Sequence, residues 1–571
     1  MSEGVSWPGE GNRKVRALER ISEVGGRGIL CAHANNSNPS GPKRGKSFMS
    51  RWYLAIDLGT GGAKVAAVAL DGTVLAAEFA RIDMVLGADG AAEQDPAQWW
   101  AGITTALQQV VELANVPRNN CAGIGITGQW GSTVPIDSSG EAVGPCITWQ
   151  DDRGGPWSKK LVGGTIDIAG FGPKKVVSWL RLAGGAPSPS GADPTGHIQY
   201  FLHQRPDLYA NAAAFLEPVD FVGLKLTGRI AATPASMVLS WLTDNRVGAT
   251  VAYHPDLIKL ADRDPTKLPE LLPTGSTLGP VLPALAASLG IPSDTPVVAG
   301  IPDLHTAALG AGAIADFEGH IAISTSAWVS APVPFKKTDV LHQMTSIPGI
   351  RSGSYLIANN HETGGATLRW LRDNVLNGDD GLGNPDLSYD AITAAAAKSP
   401  VGSGGVIFAP WLKGERSPVE DRNLRASFLN IGLATTRADM IRAVLEGVAY
   451  NALWLLEATE KFAGQELDGL RILGGGAQSD LWCQIHADVI GRPILQVSDP
   501  LNVNVRGAAW FAAISLGHLR AEELSAMAPA ARTFQPVGSA TATYKPLYAE
   551  FVRLAKSQKA MYKRLNARKR R

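Results

Sequence analysis

A strand, glycine turn, strand signal that occurs twice constrains this chain more than any other feature. In the first copy the apolar run 52–56 enters Asp57-Leu58-Gly59-Thr60-Gly61-Gly62, and a second run, 64–70, leads to the turn Asp71-Gly72 and a further apolar run. Short apolar runs punctuated by such turns specify hairpins rather than a strand, helix, strand unit. In the second copy Gly319-His320-Ile321-Ala322-Ile323 and Trp328-Val329 flank the hydroxyl-rich turn Ser324-Thr325-Ser326-Ala327. An echo at this separation implies a duplicated unit, one hairpin in each of two lobes. The length of 571 residues points the same way, since one hydrophobic core does not extend over so long a chain.

Composition narrows the partner. Charged residues make up 18% and hydrophobic residues 45% of the chain, ordinary for a soluble globular protein. The net charge of +1 gives no field that favours nucleic acid or an anionic membrane, so a small-molecule partner is expected. Cys31, Cys121, Cys146 and Cys483 are widely spaced and form no Cys-x-x-Cys pair, which fits a reducing compartment and predicts a cytoplasmic protein. No apolar stretch approaches the roughly 18 residues that a membrane span requires. Residues 1–50 lack helical and strand periodicity and read as a disordered extension, with Met49 a candidate natural start. The basic tail 563–571 reads as a solvated helix end.

Three segments carry chemistry. The glycines at 59, 61 and 62, with Thr60, let backbone N–H groups and a hydroxyl approach phosphate oxygens, while Asp57 can hold a hydrated Mg²⁺ and Lys64 adds positive charge. An ordinary glycine hairpin with a capping Asp explains the same residues. Further on, the apolar strand 295–299 runs into Gly300-Ile301-Pro302-Asp303 and then a small-residue helix over 306–313. An Asp so placed either projects its carboxylate into a crevice or caps the helix. The strand 470–473 enters Gly474-Gly475-Gly476-Ala477-Gln478-Ser479, and Ser479 caps a helix over 480–490. Without side chains, those glycines leave a backbone surface for adenine or the α-phosphate.

Other patterns are structural. Gly41 to Ser47 has one residue too few between its glycines for a phosphate loop, and Gly123-Ile124-Gly125-Ile126-Thr127-Gly128 lies inside an apolar run rather than between strand and helix. Asp95-Pro96 starts a helix with Trp100, Ile103, Leu107 and Val111 as its core stripe. Thr436 and Asp439 form a capping box before another, with Met440, Val444, Val448 and Leu455 facing the core.

The glycine hairpin with Lys64, Gly300 with Asp303, Gly310 with Gly312, the run Trp411-Leu412-Lys413-Gly414-Glu415-Arg416-Ser417-Pro418, and the run from Gly474 to Ser479 stand in an order that resembles the FGGY carbohydrate kinases, over nearly all of 52–535. Within that family the chain is most similar to xylulokinases, through 93–100, Gly128-Gln129 and Trp149-Gln150-Asp151-Asp152-Arg153. The resemblance implies an α/β fold of two ribonuclease-H-like domains of the actin and hexokinase type, with a cleft between them. It places a sugar-binding domain at 51–314, an ATP-binding domain at 315–535 and a helical tail at 536–571. It further implies Asp303 as general base, Asp57 as the Mg²⁺ site, and Gly59, Thr60, Gly61, Lys64, Thr325, Ser326, Gly474, Gly475, Gly476 and Ser479 at ATP. Gln129, Trp130, Asp151, Arg153 and Asp303 would meet the sugar, D-xylulose becoming D-xylulose 5-phosphate.

Two departures bear on the acceptor and the nucleotide. Trp130-Gly131 stands where xylulokinases carry Met-His, and Ser324 and Ala327 replace glycines of the second phosphate turn. Another ketose, pentitol or sugar acid as acceptor, a non-catalytic sugar-binding regulator, and an actin-like ATPase stay open as alternatives. Dimers are common in the family, which makes a homodimer compatible; no residue pattern marks an interface.

Overall fold

The computed structural model describes residues 51–566, apart from 88, 167–169, 352, 379–385 and 529. The readings of residues 1–50, of Cys31 and Met49, and of the last residues of the basic tail fall outside that range. The described residues belong to one compact unit, and none of its helices is long and apolar enough to cross a membrane.

The first hairpin forms as its turn chemistry requires: β1 (Trp52–Gly59) and β2 (Gly62–Ala69) pair antiparallel around Thr60-Gly61, and β3 (Val74–Arg81) continues the meander. Helix α1 (Pro96–Leu113) covers one face of these strands, with Asp95 as N-cap accepting from the Ala97 amide at 2.9 Å. Trp99, not Trp100, is its fully buried indole, because the core stripe runs through Trp99, Ile103, Leu107 and Val110. The β4 strand (Cys121–Gly128) lies parallel to β1 and contains the glycine pattern 123–128. Those glycines serve packing. A Cβ on Gly125 would stand 2.2 Å from the Ala508 carbonyl oxygen.

The described residues of 155–260 form a mostly helical insert, most of whose helices start on proline, as in α2 (Pro173–Leu182). The chain then returns through β5 (Thr277–Pro280), β6 (Pro296–Val298) and β7 (Ile301–Pro302) to complete a seven-stranded sheet of order β5-β6-β4-β1-β2-β3, with β7 also on β4. Helix α3 (Asp303–Ala311) starts three residues earlier than its apolar content suggests. Asp303 is therefore its first residue, and Pro302 occupies the cap position.

The second lobe repeats the plan. β8 (Glu318–Ile323) and β9 (Ala327–Ser330) form the echoed hairpin, and α4 (Gly365–Leu371) abuts its turn. The long α5 (Arg437–Ala463) begins at the Thr436/Asp439 capping box. β10 (Asp468–Leu473), α6 (Asp480–Ile490), β11 (Ile494–Val497), α7 (Val503–Ser515) and β12 (Ala530–Phe534) complete the lobe's run. The sheet order is β9-β8-β10-β11-β12, with β8 parallel to β10 as β1 is to β4. One helix departs from this repeat: α7 packs on α3 and on β1 and β4 of the first lobe.

Period-two alternation along β1 decides what faces what. Trp52, Leu54, Ile56 and Leu58 join the core beneath α1, whereas Tyr53 and Ala55 join the core beneath α7. Asp57 falls on the α7 side.

Candidate active site

Asp57, Thr127 and Ile301 stand side by side on β1, β4 and β7, at the carboxyl ends of parallel strands. Adjacent strands lie about 4.8 Å apart, so two spacings separate the backbone of Asp57 from that of β7. Asp303 follows β7 directly, and its entry into the helix is fixed beneath: the Thr306 hydroxyl donates to the Asp303 carbonyl at 3.1 Å, and the Thr127 hydroxyl donates to the Ile301 carbonyl at 2.9 Å. Burial, and next the Asp57 carboxylate, push the Asp303 pKa up to about 8. Asp57 is itself raised by burial, opposed by Lys64 and by a hydrogen bond from Asn504 on α7. Lys64 donates to the Leu501 carbonyl of the second lobe; burial lowers its pKa against the pull of Asp57 and Asp499.

A cavity of about 260 Å³ opens above Asp303, and Thr60, Gln129, Trp130, Ser326 and Arg416 share its lining. Both lobes contribute. The Thr60 hydroxyl donates to Gln129 Oε1 at 3.2 Å and accepts from Trp149 Nε1 at 3.1 Å, which commits that group to the cavity wall. Gln129 Nε2 donates to Gln94 Oε1 at 2.9 Å, so its amide is oriented with one N–H left over. The loop after it is held from behind: buried Glu217 accepts from the Gly131 and Ser132 amides, each at 3.1 Å. Trp130 thus projects an indole into the cavity, while Gly131, which stands where the family carries histidine, offers no side chain.

Asp151 and Arg153 do not line this cavity. Arg153 grips Asp151 at 2.7 Å, donates to Glu93 and Tyr200, and stacks 4.3 Å from the Tyr200 ring centre; Asp151 also accepts from the Ala92 amide at 2.9 Å. A buried carboxylate with its partners already met is a brace for the Trp149 loop.

The second turn is likewise built tightly. The Gly364 and Gly365 amides donate to the Thr325 and Ser324 carbonyls at 3.0 and 2.6 Å, and a Cβ on Gly365 would stand 2.7 Å from the Ser324 oxygen. The turn keeps Thr325 exposed and Ser326 at the cavity. Among the three glycines after β10, Gly474 and Gly476 fit against Ile323 at 2.6 and 2.5 Å from a notional Cβ; Gly475 alone is exposed, with only Leu501 near, at 3.9 Å. The Ser479 hydroxyl caps α6 by accepting from the Trp482 amide at 3.2 Å.

Several residues that line the cavity carry no role legible in the sequence. Arg416 sits within a motif already singled out, donates to Glu362 at 3.0 Å and lies 5.9 Å over the Trp149 ring. Asn360 makes no side-chain hydrogen bond among the described residues and lines the cavity. The pair Gly364-Gly365 was the available sign of a close approach there.

Two lobes built on equivalent hairpin-led sheets, with Asp303 lining a cavity that both share, define the actin and hexokinase type of ATPase fold used by sugar kinases. Residues 52–310 match the N-terminal domain, and 324–516 the C-terminal domain, of the FGGY family of carbohydrate kinases. The chain belongs to that family and is a carbohydrate kinase, a phosphotransferase with an alcohol acceptor. It is 25% identical over 517 residues to the xylulose kinase of Bacillus subtilis strain 168, covering 87% of this chain and 95% of that one. It is 24% identical over 525 residues to the gluconokinase of the same strain, covering 90% and 97%. A solved structure described as ligand-bound xylulose kinase from Lactobacillus acidophilus superposes with a TM-score of 0.77 at 20% identity, over 90% of this chain and all of that one.

Proposed function

We propose that this kinase transfers the γ-phosphoryl group of ATP to a hydroxyl of a small carbohydrate, with D-xylulose as the first acceptor to test. One observation carries the reading: Asp303 lies on the floor of a cavity shared by both lobes, with Asp57 and the glycine hairpin beside it. In this reading residues 51–314 hold the carbohydrate and 315–535 the nucleotide. Asp303 accepts the proton of the attacking hydroxyl, a contribution of roughly 10²- to 10⁴-fold to the rate. Gly59, Gly61, Lys64, Thr325 and Ser326 steady the phosphates, while Gly475 offers open backbone to the nucleotide and Ser479 holds the α6 terminus beside it.

Mg²⁺ belongs to the proposal. Among the described residues no three His, Cys, Asp or Glu side chains gather into a metal cage. That suits an ion which keeps its waters and takes one or two carboxylates with substrate phosphates. Asp57 fits this role because its carboxylate stands close enough to Asp303 to raise that group's pKa, a repulsion that a cation beside the two acids relieves. When bound, the ion supplies charge neutralisation to the phosphates.

D-xylulose is favoured by the relatives named xylulose kinase, and a sugar acid is the second reading, favoured by the gluconokinase relative and by Arg416 at the cavity. A coupled ADP-release assay with D-xylulose, gluconate and glycerol, each with ATP and Mg²⁺, decides between them. Asp303→Asn is expected to keep fold and nucleotide binding and to lose at least about two orders of magnitude in kcat. Turnover close to wild type in that variant rejects Asp303 as the base.

A further inference from the structure

The cavity above Asp303 is chemically divided. Toward the second-lobe turn it presents groups suited to a polyol: the Asp303 carboxyl, Asn360, Ser326 and the remaining N–H groups of Arg416. The opposite end is a wall of Phe171, Val176, Leu180, Leu239, Trp241 and Val340. These belong to or pack against the small hydrophobic core of the helical insert, so the cavity opens onto the flank of that core.

Most polar groups at that end already bond to the protein, the Gln343 Oε1 excepted. The Thr338 and Thr345 hydroxyls both donate to the Gly184 carbonyl, Thr345 at 2.6 Å. Gln343 Nε2 donates to the Val340 carbonyl at 3.1 Å. Asp339 accepts from the Leu341 and His342 amides, each at 3.1 Å, and pairs with the His342 ring at 2.7 Å. A free sugar carries a hydroxyl on nearly every carbon, and a hydroxyl buried without a partner is disfavoured. An unsubstituted pentulose therefore gains little by reaching into this end.

Trp241 gives an independent sign that the wall is built. It holds φ 59° and ψ 27°, a left-handed conformation that bulky residues avoid. Its Nε1 donates to Asp193 at 3.4 Å, and Gly185 makes room for the indole, since a Cβ there would stand 2.2 Å from the ring. Backbone strain of this kind persists only where the surroundings over-determine it, and it concentrates at ligand sites.

Resting on the kinase reading above, we infer that the acceptor is an amphipathic carbohydrate: its reacting hydroxyl meets Asp303, and its remote end carries an alkyl or aryl group that fills the Trp241 and Val340 wall. The residues of that wall set specificity, and they touch no reacting atom.

The test compares D-xylulose with its 1-O-methyl, 1-O-propyl and 1-O-benzyl ethers, by kcat/KM and by tryptophan-fluorescence titration in wild type, Val340→Asn and Leu180→Asn. Expected is a rise of about fourfold in kcat/KM and in affinity per buried methylene, and a collapse of that preference in the two variants, each checked for a native melting transition. Ethers that bind and turn over more weakly than the free sugar overturn the inference, as does a preference that both variants leave intact. Failure of the kinase reading looks different: no acceptor is phosphorylated, while the order of binding affinities still decides whether the wall holds an apolar group.

Discussion

At the scale of single residues, the structure divides the polar groups near the cleft into those that face the cavity and those that brace it. Thr60 belongs to a hydrogen-bonded set with Gln129, Trp149 and Gln94, although its place in the glycine turn suggests phosphate binding. Thr60→Val keeps the shape and removes the hydroxyl. We expect it to raise the KM for carbohydrate about 2- to 10-fold, in line with the loss of a hydrogen bond, with the KM for ATP within about twofold of wild type. Steady-state kinetics in both substrates check this, and a rise confined to ATP would return Thr60 to the phosphates. Asp57 and Asp303 were visible in the sequence because an acid at the end of an apolar strand, beside Gly or Pro, is a local pattern. Trp241, Val340 and Asn360 were not visible, because they come from the helical insert, from the second-lobe turn between Thr338–Asp339 and Met344–Pro348, and from the loop after the strand Tyr355–Ala358, which meet only in space.

At the scale of elements, the crossing of α3 and α7 joins the lobes. Gly310 faces the Val503 carbonyl and Gly507 the Thr306 carbonyl, each at 2.0 Å from a notional Cβ. Replacing a helical glycine with alanine ordinarily stabilises by up to about 1 kcal/mol. At this crossing the sign is expected to reverse: Gly507→Ala forces the helix backbones apart and should cost about 1–3 kcal/mol in denaturant unfolding. A stabilised variant would show that the helices do not approach so closely. Helix existence was legible throughout, from Asp95, from the Thr436/Asp439 box and from Ser479, since caps and apolar periodicity are local signals. The docking of α7 on the first lobe was not, because nothing in a helix's own sequence names its partner.

At the scale of the whole molecule, two properties follow from the way the lobes close and from what they bury. Contacts cross the cleft mouth: Lys413 donates to Gln150 at 2.6 Å, Lys336 to the Arg181 carbonyl at 2.7 Å, and Thr345 to Gly184. Amide hydrogen exchange in 184–186 and 338–345 is expected to slow when carbohydrate and a non-hydrolysable ATP analogue are both bound, and equal protection with and without ligands would count against domain closure. Stability is the second property. His197, His320, His361 and His486 are buried, and burial lowers their pKa values to about 4, 3, 3 and 4. The unfolded chain takes up protons near pH 6.5 and the folded chain only near pH 3–4, so the folded state loses stability as pH falls through that window. His486→Gln should remove about 2–3 kcal/mol of the difference in unfolding free energy between pH 7 and 4.5. An unaltered pH dependence would show that His486 does not titrate this way.

The duplicated hairpins, the strand-end acids and the capped helices are legible in the chain's own order of residues, because turn chemistry, apolar periodicity and capping act between residues a few positions apart. Which polar groups remain free, and what lines the far wall of the cavity, emerges only once the segments are folded together. Those properties depend on which side chains from distant segments satisfy one another first: Asp151 is claimed by Arg153 and Ala92, and the Gly184 carbonyl claims two threonine hydroxyls. Hydrogen-bonding capacity is spent in three dimensions, and the chemistry left over for a ligand is what the folded contacts leave unclaimed.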